Sequence, residues 1–248
     1  MTGTIRVGVG GWTFEPWRGV FYPDDLPQKR ELEYASRKLT SIEINGTYYS
    51  TFKPDSWRKW RDETPDGFVF SVKASRFSTN RRVLSEAKES IEKFLGQGLT
   101  ELGDKLGPIN WQFMATKKFD PADFGGFLDL LPKELNGVRL CHALEVRSPT
   151  FACQEFYDLA AKHNAAIVYA KDEDFPEIDQ HTADFTYARL MASREDMEHG
   201  VTDAELDGFA KQTQTWAKRG DVFAYFISGA KVRNPAAAQE LIATLSRT

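Results

Sequence analysis

The 248-residue chain has little cysteine and little histidine, and this scarcity excludes several classes of site. Its two cysteines, Cys141 and Cys153, are too few for a disulfide scaffold, and their spacing fits neither a zinc site nor a redox pair. We therefore expect two reduced thiols. The four histidines fall in separate segments, so a histidine-rich metal cluster is not predicted. They are His142, His163, His181 and His199.

Positive charge is not in excess, and long apolar runs are missing. With 32 basic and 36 acidic residues the formal net charge is −4, which disfavours tight binding of a long nucleic acid. A bilayer-spanning helix needs roughly 18–20 apolar residues, and no run approaches that length. Residues 1–4 lack the charged-then-apolar layout of a secretory signal. We therefore expect a cytoplasmic protein without a membrane partner, in which residues 1–248 form one domain.

A glycine-rich nucleotide-binding fingerprint is also absent. The run Gly8-Val9-Gly10-Gly11 lacks the remaining glycine of the dinucleotide-binding pattern. No organic cofactor is therefore predicted, and no metal ligands are assigned. A magnesium site built from carboxylates alone stays open, because it needs neither cysteine nor histidine.

Short β-rich runs alternate with longer amphipathic runs along the whole chain. The predicted strands are residues 5–9, 41–45, 68–74, 108–113, 139–146, 166–170, 185–191 and 222–227. The predicted helices are residues 55–63, 85–102, 122–131, 152–163, 202–218 and 236–245. The sixth unit, 172–183, is acidic, contains Pro176 and is expected to hold at most a short helix. Strict alternation indicates an α/β protein with parallel strands, and eight units predict a single (β/α)8 TIM barrel, with a doubly wound open sheet as the alternative.

Polar residues recur at alternate positions of these strands. Because helices cover the outer face of such a barrel, apolar residues such as Ile42, Ile44, Phe70 and Val72 should face outward. The polar residues between them should then point into the lumen. These are Glu43 and Asn45, Ser71 and Lys73, Asn110 and Gln112, Glu145 and Arg147, Tyr187 and Arg189, and Tyr225.

Most of these polar residues lie toward the C-terminal ends of their strands, where TIM barrels build their sites. Glu43 and Glu145 are candidate general acids or bases, and Lys73 is a candidate to tune their pKa or to polarise a carbonyl. The candidate binding residues from the strands are Asn45, Gln112, Arg147, Arg189 and Tyr225. The alternative is a purely structural network, in which Glu43 pairs with Lys73 and Glu145 pairs with Arg147.

Three loops add candidates for ligand binding. Lys231 and Arg233 precede a capped helix start, where free N–H groups and the helix dipole favour an anion. Arg76, with Arg81 and Arg82, follows the third strand and keeps open a nucleic-acid partner that the net charge disfavours. Trp12 leads an aromatic cluster after the first strand that fits stacking on a planar or sugar-like ligand, with a packed plug over the barrel mouth as the alternative.

The chain resembles the domain of unknown function 72 family, also described as YecE-like. The motifs that carry the resemblance run in order along nearly the whole chain. They include Gly10-Gly11-Trp12, Trp17-Arg18-Gly19-Val20-Phe21-Tyr22-Pro23, Glu43-Ile44-Asn45-Gly46-Thr47-Tyr48-Tyr49, Thr64-Pro65-Asp66-Gly67-Phe68, Lys105-Leu106-Gly107-Pro108, Glu145-Val146-Arg147 and Tyr187-Ala188-Arg189-Leu190. The resemblance implies a TIM barrel and a pocket at the residues already selected, to which we add Tyr48. It implies no reaction, because the family name records no activity.

The chain departs from the family pattern at three positions near the predicted site. Ser148 stands where a histidine commonly follows the Glu-x-Arg of strand five. Lys171 precedes Asp172 where an aspartate commonly follows strand six, and Ala192 replaces a glycine after strand seven. Chemistry that needs that histidine or that aspartate is therefore not carried over to this chain.

Two main hypotheses for function follow, and they belong to different classes. The first is an enzyme of hydrolase or isomerase type that acts on a small anionic substrate, with Arg147, Arg189, Lys231 and Arg233 holding the anion. The second is a non-catalytic metabolite-binding or regulatory protein that uses the same pocket, and Ser148 in place of histidine favours it. A glycosidase-like enzyme that uses Glu43 and Glu145, and a metal-dependent nuclease-like enzyme, are lesser alternatives.

Overall fold

Eight parallel strands form the centre of the molecule in the computed structural model, which describes residues 2–247. The C-terminal end of each strand lies within about one residue of the end predicted from the sequence. The strands are β1 Ile5–Gly10, β2 Ser41–Ile44, β3 Val69–Lys73, β4 Leu106–Gln112, β5 His142–Glu145, β6 in two segments Ala166–Ile167 and Tyr169–Lys171, β7 Phe185–Leu190 and β8 Asp221–Phe226.

The sheet closes on itself through the two segments of β6. The first segment pairs with β5, with Ala143 opposite Ala166, and the second pairs with β7, with Ala188 opposite Tyr169. Val168 lies between the segments and donates its N–H to the carbonyl of Leu144 at 3.0 Å. At the other side of the barrel β1 pairs with both β8 and β2. The predicted TIM barrel is therefore confirmed, and the open doubly wound sheet is wrong.

Helices surround the barrel on its outer face. They are α1 Glu31–Ala35, α2 Pro54–Glu63, α3 Arg76–Thr79, α4 Lys88–Leu95, α5 Pro121–Asp129, α6 Gln154–Lys162, α7 Asp203–Ala217 and α8 Asn234–Arg247. Within the described residues 172–184, between β6 and β7, no helix forms. Across residues 2–247, no helix is both long enough and apolar enough to cross a membrane.

Two predicted elements were wrong in their extent. The single helix predicted over 85–102 is instead α4 flanked by 3-10 turns at Leu84–Glu86 and Leu99–Lys105. The break falls at Gly98, whose φ of +103° is left-handed and whose Cα packs so tightly on α2 that an added Cβ would lie 3.0 Å from the Pro54 ring. The strand predicted over 139–146 begins only at His142, because Val138–Arg139 turns back on Glu134–Leu135 through Asn136 and Gly137, both at positive φ.

The predicted division of strand residues between an outer and an inner face is confirmed. Outward side chains such as Ile42 and Phe70 join a large apolar layer under the helices, together with Trp57 of α2. Inside the barrel, a smaller apolar cluster that includes Phe185 and Phe223 fills the N-terminal part of the lumen. The polar side chains lie above this apolar floor, toward the C-terminal ends of the strands. Their position places the candidate site in the barrel mouth.

Candidate functional site

Two buried glutamates and one buried arginine form the centre of a charged layer in the lumen. Glu43, Glu145 and Arg189 are 0%, 0% and 2% exposed. The Arg189 guanidinium bridges the two carboxylates, donating to Glu145 Oε2 at 2.7 Å and to Glu43 Oε1 at 3.0 Å. Burial acts to raise the pKa of Glu145, but Arg189, Arg147 and Lys73 outweigh it and hold that pKa at about 2. Glu145 is therefore ionised at neutral pH.

Asn110 and Tyr187 complete the contacts around the two carboxylates, and neither was among the predicted site residues. Asn110 Nδ2 donates to Glu145 Oε2 at 3.0 Å and to Glu43 Oε2 at 3.3 Å. The Tyr187 hydroxyl donates to Glu43 Oε2 at 2.5 Å. Both residues share a strand face with a predicted site residue, Gln112 and Arg189 respectively. The alternation of polar residues therefore predicted that both side chains face the lumen. Neither was selected as a site residue, and neither side chain is charged.

Arg147 extends the charged layer toward solvent. Its guanidinium donates to Glu145 Oε1 at 2.7 Å and 2.9 Å and to Gln112 Oε1 at 2.9 Å. The same guanidinium lies 4.4 Å from the ring centroid of Phe175, a residue that sequence reasoning did not select. With 23% of its side chain exposed, Arg147 is open to a ligand, whereas Arg189 behind it is closed off.

Lys73 is the cation of this layer that lacks a carboxylate partner. Among the described residues no carboxylate oxygen lies within 4.0 Å of its ammonium, which instead lies 4.5 Å from the ring centroid of Tyr48. Burial is the largest of the effects that lower the pKa of Lys73 to about 8, and Arg189 lowers it further. Glu43 and Glu145 offset part of this shift. The amine therefore titrates near neutral pH.

The purely structural alternative predicted two ion pairs, of which one is observed and one is not. Glu145 does pair with Arg147, as that alternative required. Glu43 pairs with Arg189 and not with Lys73. A network that existed only to neutralise buried charge would also have engaged the lysine, because an unpaired ammonium is costly to bury. The unpaired Lys73 is thus the feature of the layer that stability does not explain.

A layer of hydroxyl groups lies beneath the charged layer. Tyr225, predicted as a binding residue, is fully buried, and its hydroxyl contacts Ser71 Oγ at 2.6 Å and Ser41 Oγ at 2.7 Å. Ser41 Oγ also donates to the carbonyl of Val69 at 2.6 Å. Burial raises the pKa of Tyr225 well above its ordinary value. Tyr225 therefore supports the floor of the site from below.

Replacing Tyr225 by phenylalanine is expected to destabilise the protein by about 1–3 kcal/mol, because it leaves the buried hydroxyl of Ser71 without its partner. Urea denaturation of Tyr225→Phe measures the loss. The double variant Tyr225→Phe/Ser71→Ala is the control, since removing both partners leaves no unsatisfied group and should recover part of the stability. Equal stability of the two variants would contradict this account of the layer.

Asn45 and Tyr48 lie at the end of β2, at the edge of the charged layer. The buried Oδ1 of Asn45 has no hydrogen-bond partner, and its Nδ2 is so close to β1 that a Cβ on Gly10 would lie 2.5 Å away. The Tyr48 hydroxyl accepts a hydrogen bond from Asn80 Nδ2 at 3.1 Å, which fixes the ring beneath Lys73. The structure therefore brings Tyr48 to the site directly and leaves Asn45 at its margin.

Four other predicted binding residues lie away from the charged layer. Trp12 packs edge-to-face against Trp60 of α2 at 5.2 Å, within the apolar layer outside the barrel. Arg76 is exposed on α3 and stacks over Phe77. The other two residues, Lys231 and Arg233, lie in the loop after β8. The Lys231 amine lies 4.2 Å from the ring centroid of Phe14. The Arg233 guanidinium donates to the Glu195 carbonyl at 3.1 Å.

A cavity of about 770 Å³ lies between α4 and the loops after β2 and β3, and its lining includes no member of the charged layer. Its lining includes Thr47, Ser75 and Arg81. Thr47 ties this cavity to the charged layer, because its hydroxyl donates to the Lys73 carbonyl at 2.6 Å. A second groove, of about 460 Å³, has Arg81, Arg82 and two lysines in its lining. Of the three arginines predicted after β3, Arg81 and Arg82 therefore line these grooves, and Arg76 lines neither.

The glycosidase alternative has little support in this geometry. Such an enzyme needs one protonated carboxyl group as its acid. The pKa of Glu145 is about 2, and Glu43 accepts hydrogen bonds from Arg189, Tyr187 and Asn110. Within residues 2–247, no three or more His, Cys, Asp or Glu side chains are grouped so that they could hold a metal ion.

Comparison with known proteins places these features in a family. The Escherichia coli K12 protein YecE is 28% identical over 150 residues, which cover 59% of this chain and 50% of YecE. The match therefore spans about half the length of that relative. A DUF72 family protein of Thermotoga maritima MSB8 has a similar structure, with a TM-score of 0.77, 22% identity and coverage of 98% of this chain and 99% of that one.

A second solved structure and the family model agree. A DUF72 family protein of Enterococcus faecalis V583 gives a TM-score of 0.73 at 12% identity, covering 99% of this chain and 98% of that one. At these identities the two structures show the fold alone. The family model described as "Protein of unknown function DUF72" matches residues 6–248. Because that match covers nearly the whole chain, the protein belongs to the DUF72 family.

Proposed function

We propose that the protein is an enzyme of hydrolase or isomerase type that acts on a small anionic substrate in the mouth of the barrel. The observation that carries this proposal is the charge of the layer. Three cations, Lys73, Arg147 and Arg189, face two carboxylates, Glu43 and Glu145, and the solvent-facing members are cations. An incoming anion therefore meets Arg147 and Lys73 first, with the carboxylates behind them.

Unsatisfied polar atoms support a ligand at the same place. Asn110 Oδ1 and Arg189 Nε are buried without a hydrogen-bond partner, as is Asn45 Oδ1 at the margin. Buried polar groups in folded proteins are nearly always paired. Of these three atoms, Asn45 Oδ1 belongs to the least buried residue, and a molecule bound in the barrel mouth would supply its partner.

The roles of the candidate catalytic residues differ from those expected from sequence. Glu145, with a pKa of about 2, is too weak a base for efficient proton transfer near pH 7. Lys73, with a pKa of about 8, is close to the optimum for a group that both accepts and donates protons. We assign acid–base work to Lys73 and assign to Glu43 and Glu145 the orientation of Arg189 and Arg147.

Anion-dependent thermal stabilisation tests the proposal. Inorganic phosphate or malonate, at a hundred times its dissociation constant, should stabilise the protein by about 2.7 kcal/mol, which for a chain of this size is roughly 5–10 °C. The response should weaken as the pH rises through about 8, because Lys73 loses its proton there. Differential scanning fluorimetry across pH 6–9 measures both effects.

Arg147→Ala should lose most of the response, since it removes the exposed cation of the site. Arg139→Ala is the matched control, because Arg139 forms an exposed ion pair with Asp184 before β5 begins, at the opposite end of the barrel. Equal responses of both variants to the anion would refute the proposed site.

The second candidate function, a non-catalytic metabolite-binding protein, is favoured by Ser148. Its hydroxyl contacts the Thr150 hydroxyl at 2.9 Å and caps the 3-10 turn Pro149–Phe151, so this position is used to shape the loop. Prolonged incubation separates the two functions. A bound anionic metabolite recovered unchanged supports the binder, whereas its conversion supports the enzyme.

A further inference from the structure

We propose that Lys73 is a nucleophile that forms an imine with a carbonyl-bearing anion, an aldehyde or 2-oxo acid whose anionic group is held by Arg147. This inference rests on the proposed function, because it names the substrate class of the same site. It assigns to Lys73 a covalent step beyond the transfer of protons.

The geometry leaves Lys73 as the one cation of the charged layer suited to nucleophilic attack. A nucleophile needs a free lone pair, which a guanidinium does not supply, because arginine stays protonated. Arg189 and Arg147 are in any case held by carboxylates at 2.7 Å. Lys73 has neither constraint. Among the described residues no carboxylate lies within 4.0 Å of its amine, which lies 4.5 Å from the ring centroid of Tyr48.

The position of Lys73 along β3 aims the amine into the mouth of the barrel. Lys73 is the last residue of β3 and pairs in register with Asn110 of β4, whose side chain contacts both carboxylates. The Thr47 hydroxyl fixes its backbone carbonyl. Lys73 is also partly exposed, whereas Glu43 and Glu145 are fully buried. A carbonyl compound can therefore reach the amine from solvent.

Two features known to activate lysines as nucleophiles meet at this position. One is removal of the amine from water, and the other is a neighbouring cation. Burial and Arg189 are the two largest causes that lower the pKa of Lys73 to about 8. At that pKa about one-tenth of the amine is neutral at pH 7, far more than for an ordinary lysine.

The proposed step balances without an oxidant or a reductant. The nitrogen lone pair attacks the carbonyl carbon, a C–N bond forms, and the C=O π electrons move to oxygen. Both N–H protons then leave with that oxygen as one water molecule, giving C=N. On protonation the imine is a cation, which the carboxylates of Glu43 and Glu145 stabilise. It also acidifies the adjacent C–H bonds, which suits an isomerase.

Cyanoborohydride trapping tests the inference. The full chain is incubated with glyoxylate and sodium cyanoborohydride, which reduces an imine to a stable secondary amine while sparing the free aldehyde, and the adduct is located by peptide mass spectrometry. We expect labelling at Lys73 at least tenfold above that of any other lysine. Labelling should rise from pH 6 to 9 with a midpoint near 8. The charged groups that set this midpoint are Glu43 of β2, Glu145 and Arg147 at the end of β5, and Arg189 of β7.

Matched variants separate the imine from anion binding. Lys73→Arg keeps the positive charge and should abolish the adduct. Arg147→Ala should reduce labelling by glyoxylate about tenfold while sparing labelling by neutral glycolaldehyde, because only the first carries an anionic group. Lys105→Arg, at a partly buried lysine whose amine donates to the Arg61 and Thr64 carbonyls, should leave labelling unchanged.

The outcomes distinguish the two proposals. Absence of preferential labelling at Lys73 overturns the imine, and if phosphate still stabilises wild type but not Arg147→Ala, the anion site stands without it. If Lys73 is not preferentially labelled and phosphate also fails to stabilise the wild-type protein, both proposals are overturned. Selective adducts that map to a different lysine also overturn the inference.

Discussion

Replacing Arg189 by methionine is expected to destabilise the protein by about 3–5 kcal/mol, the cost of leaving a buried charge without its partner. Arg189 is 2% exposed and is the cation that contacts both Glu43 and Glu145. Its loss leaves Glu43 with only the neutral donors Tyr187 and Asn110. The midpoint temperature of thermal unfolding, measured by circular dichroism, should fall by roughly 6–20 °C.

Arg139→Met is the control for this prediction, because its ion pair with Asp184 is exposed on both sides and should contribute at most about 1 kcal/mol. A second variant, Arg189→Met/Glu43→Gln, should recover part of the loss by removing the stranded carboxylate. If Arg189→Met were as stable as wild type, the charged layer would not carry buried charge as described.

The pH dependence of the same layer follows from Glu145. Its folded-state pKa of about 2 lies below the unfolded value of about 4.3, so its ionised form is favoured by folding. The stability that this group contributes is full above the unfolded value and is lost as the pH falls toward 2. In Arg189→Met the largest attraction on Glu145 is missing, so we expect a shallower loss of stability with acid.

How well the sequence predicts each feature of this site depends on whether neighbouring or distant parts of the chain determine that feature. The lumen-facing positions of Glu43, Lys73 and Arg189 follow from the alternation of side chains along a strand, which is a local rule. The pairing of Glu43 with Arg189 is not local, since the two are 146 residues apart and meet only because β1 joins β2 to β8 and β8 joins β7. The predicted partner of Glu43, Lys73 on the next strand along the chain, is therefore wrong.

Loop residues were the least predictable part. Trp12 and Lys231 were selected for chemistry that suits ligand binding, but each is held by aromatic packing, Trp12 by Trp60 and Lys231 by Phe14. Loop conformation is set by such contacts with distant parts of the chain, and no periodicity reveals them. The Asn136-Gly137 turn is the exception, because its sequence is a direct signal of a two-residue hairpin loop.

Replacing Lys73 by methionine is expected to stabilise the protein at pH 7 by about 1–3 kcal/mol. The lowering of its pKa to about 8 means that folding disfavours the charged amine, and each pKa unit corresponds to about 1.4 kcal/mol. The lost contact with the Tyr48 ring, about 0.5–2 kcal/mol, offsets part of the gain. Residues that lower the stability of the fold are typical of functional sites, where activity and stability compete.

The gain should depend on pH with a defined sign. Below about pH 8 the amine is charged in both the folded and the unfolded chain, so the full cost of burying it is present and Lys73→Met is the more stable protein. Between pH 8 and about 10.4 the folded protein carries a neutral amine while the unfolded chain is still protonated. The advantage of the variant therefore shrinks across this window and is gone above it.

Lys105→Met is the matched control, because Lys105 is a lysine whose amine is fully engaged. It donates to the carbonyls of Arg61 and Thr64, each at 2.7 Å, and to Thr64 Oγ1 at 3.2 Å. Its replacement should destabilise the protein by about 1–3 kcal/mol, since those acceptors lose their donor. Urea denaturation at pH 7 and pH 10 compares the two variants. Destabilisation of both to a similar degree at pH 7 would show that Lys73 is an ordinary structural lysine, and the case for a reactive amine in the barrel mouth would fall with it.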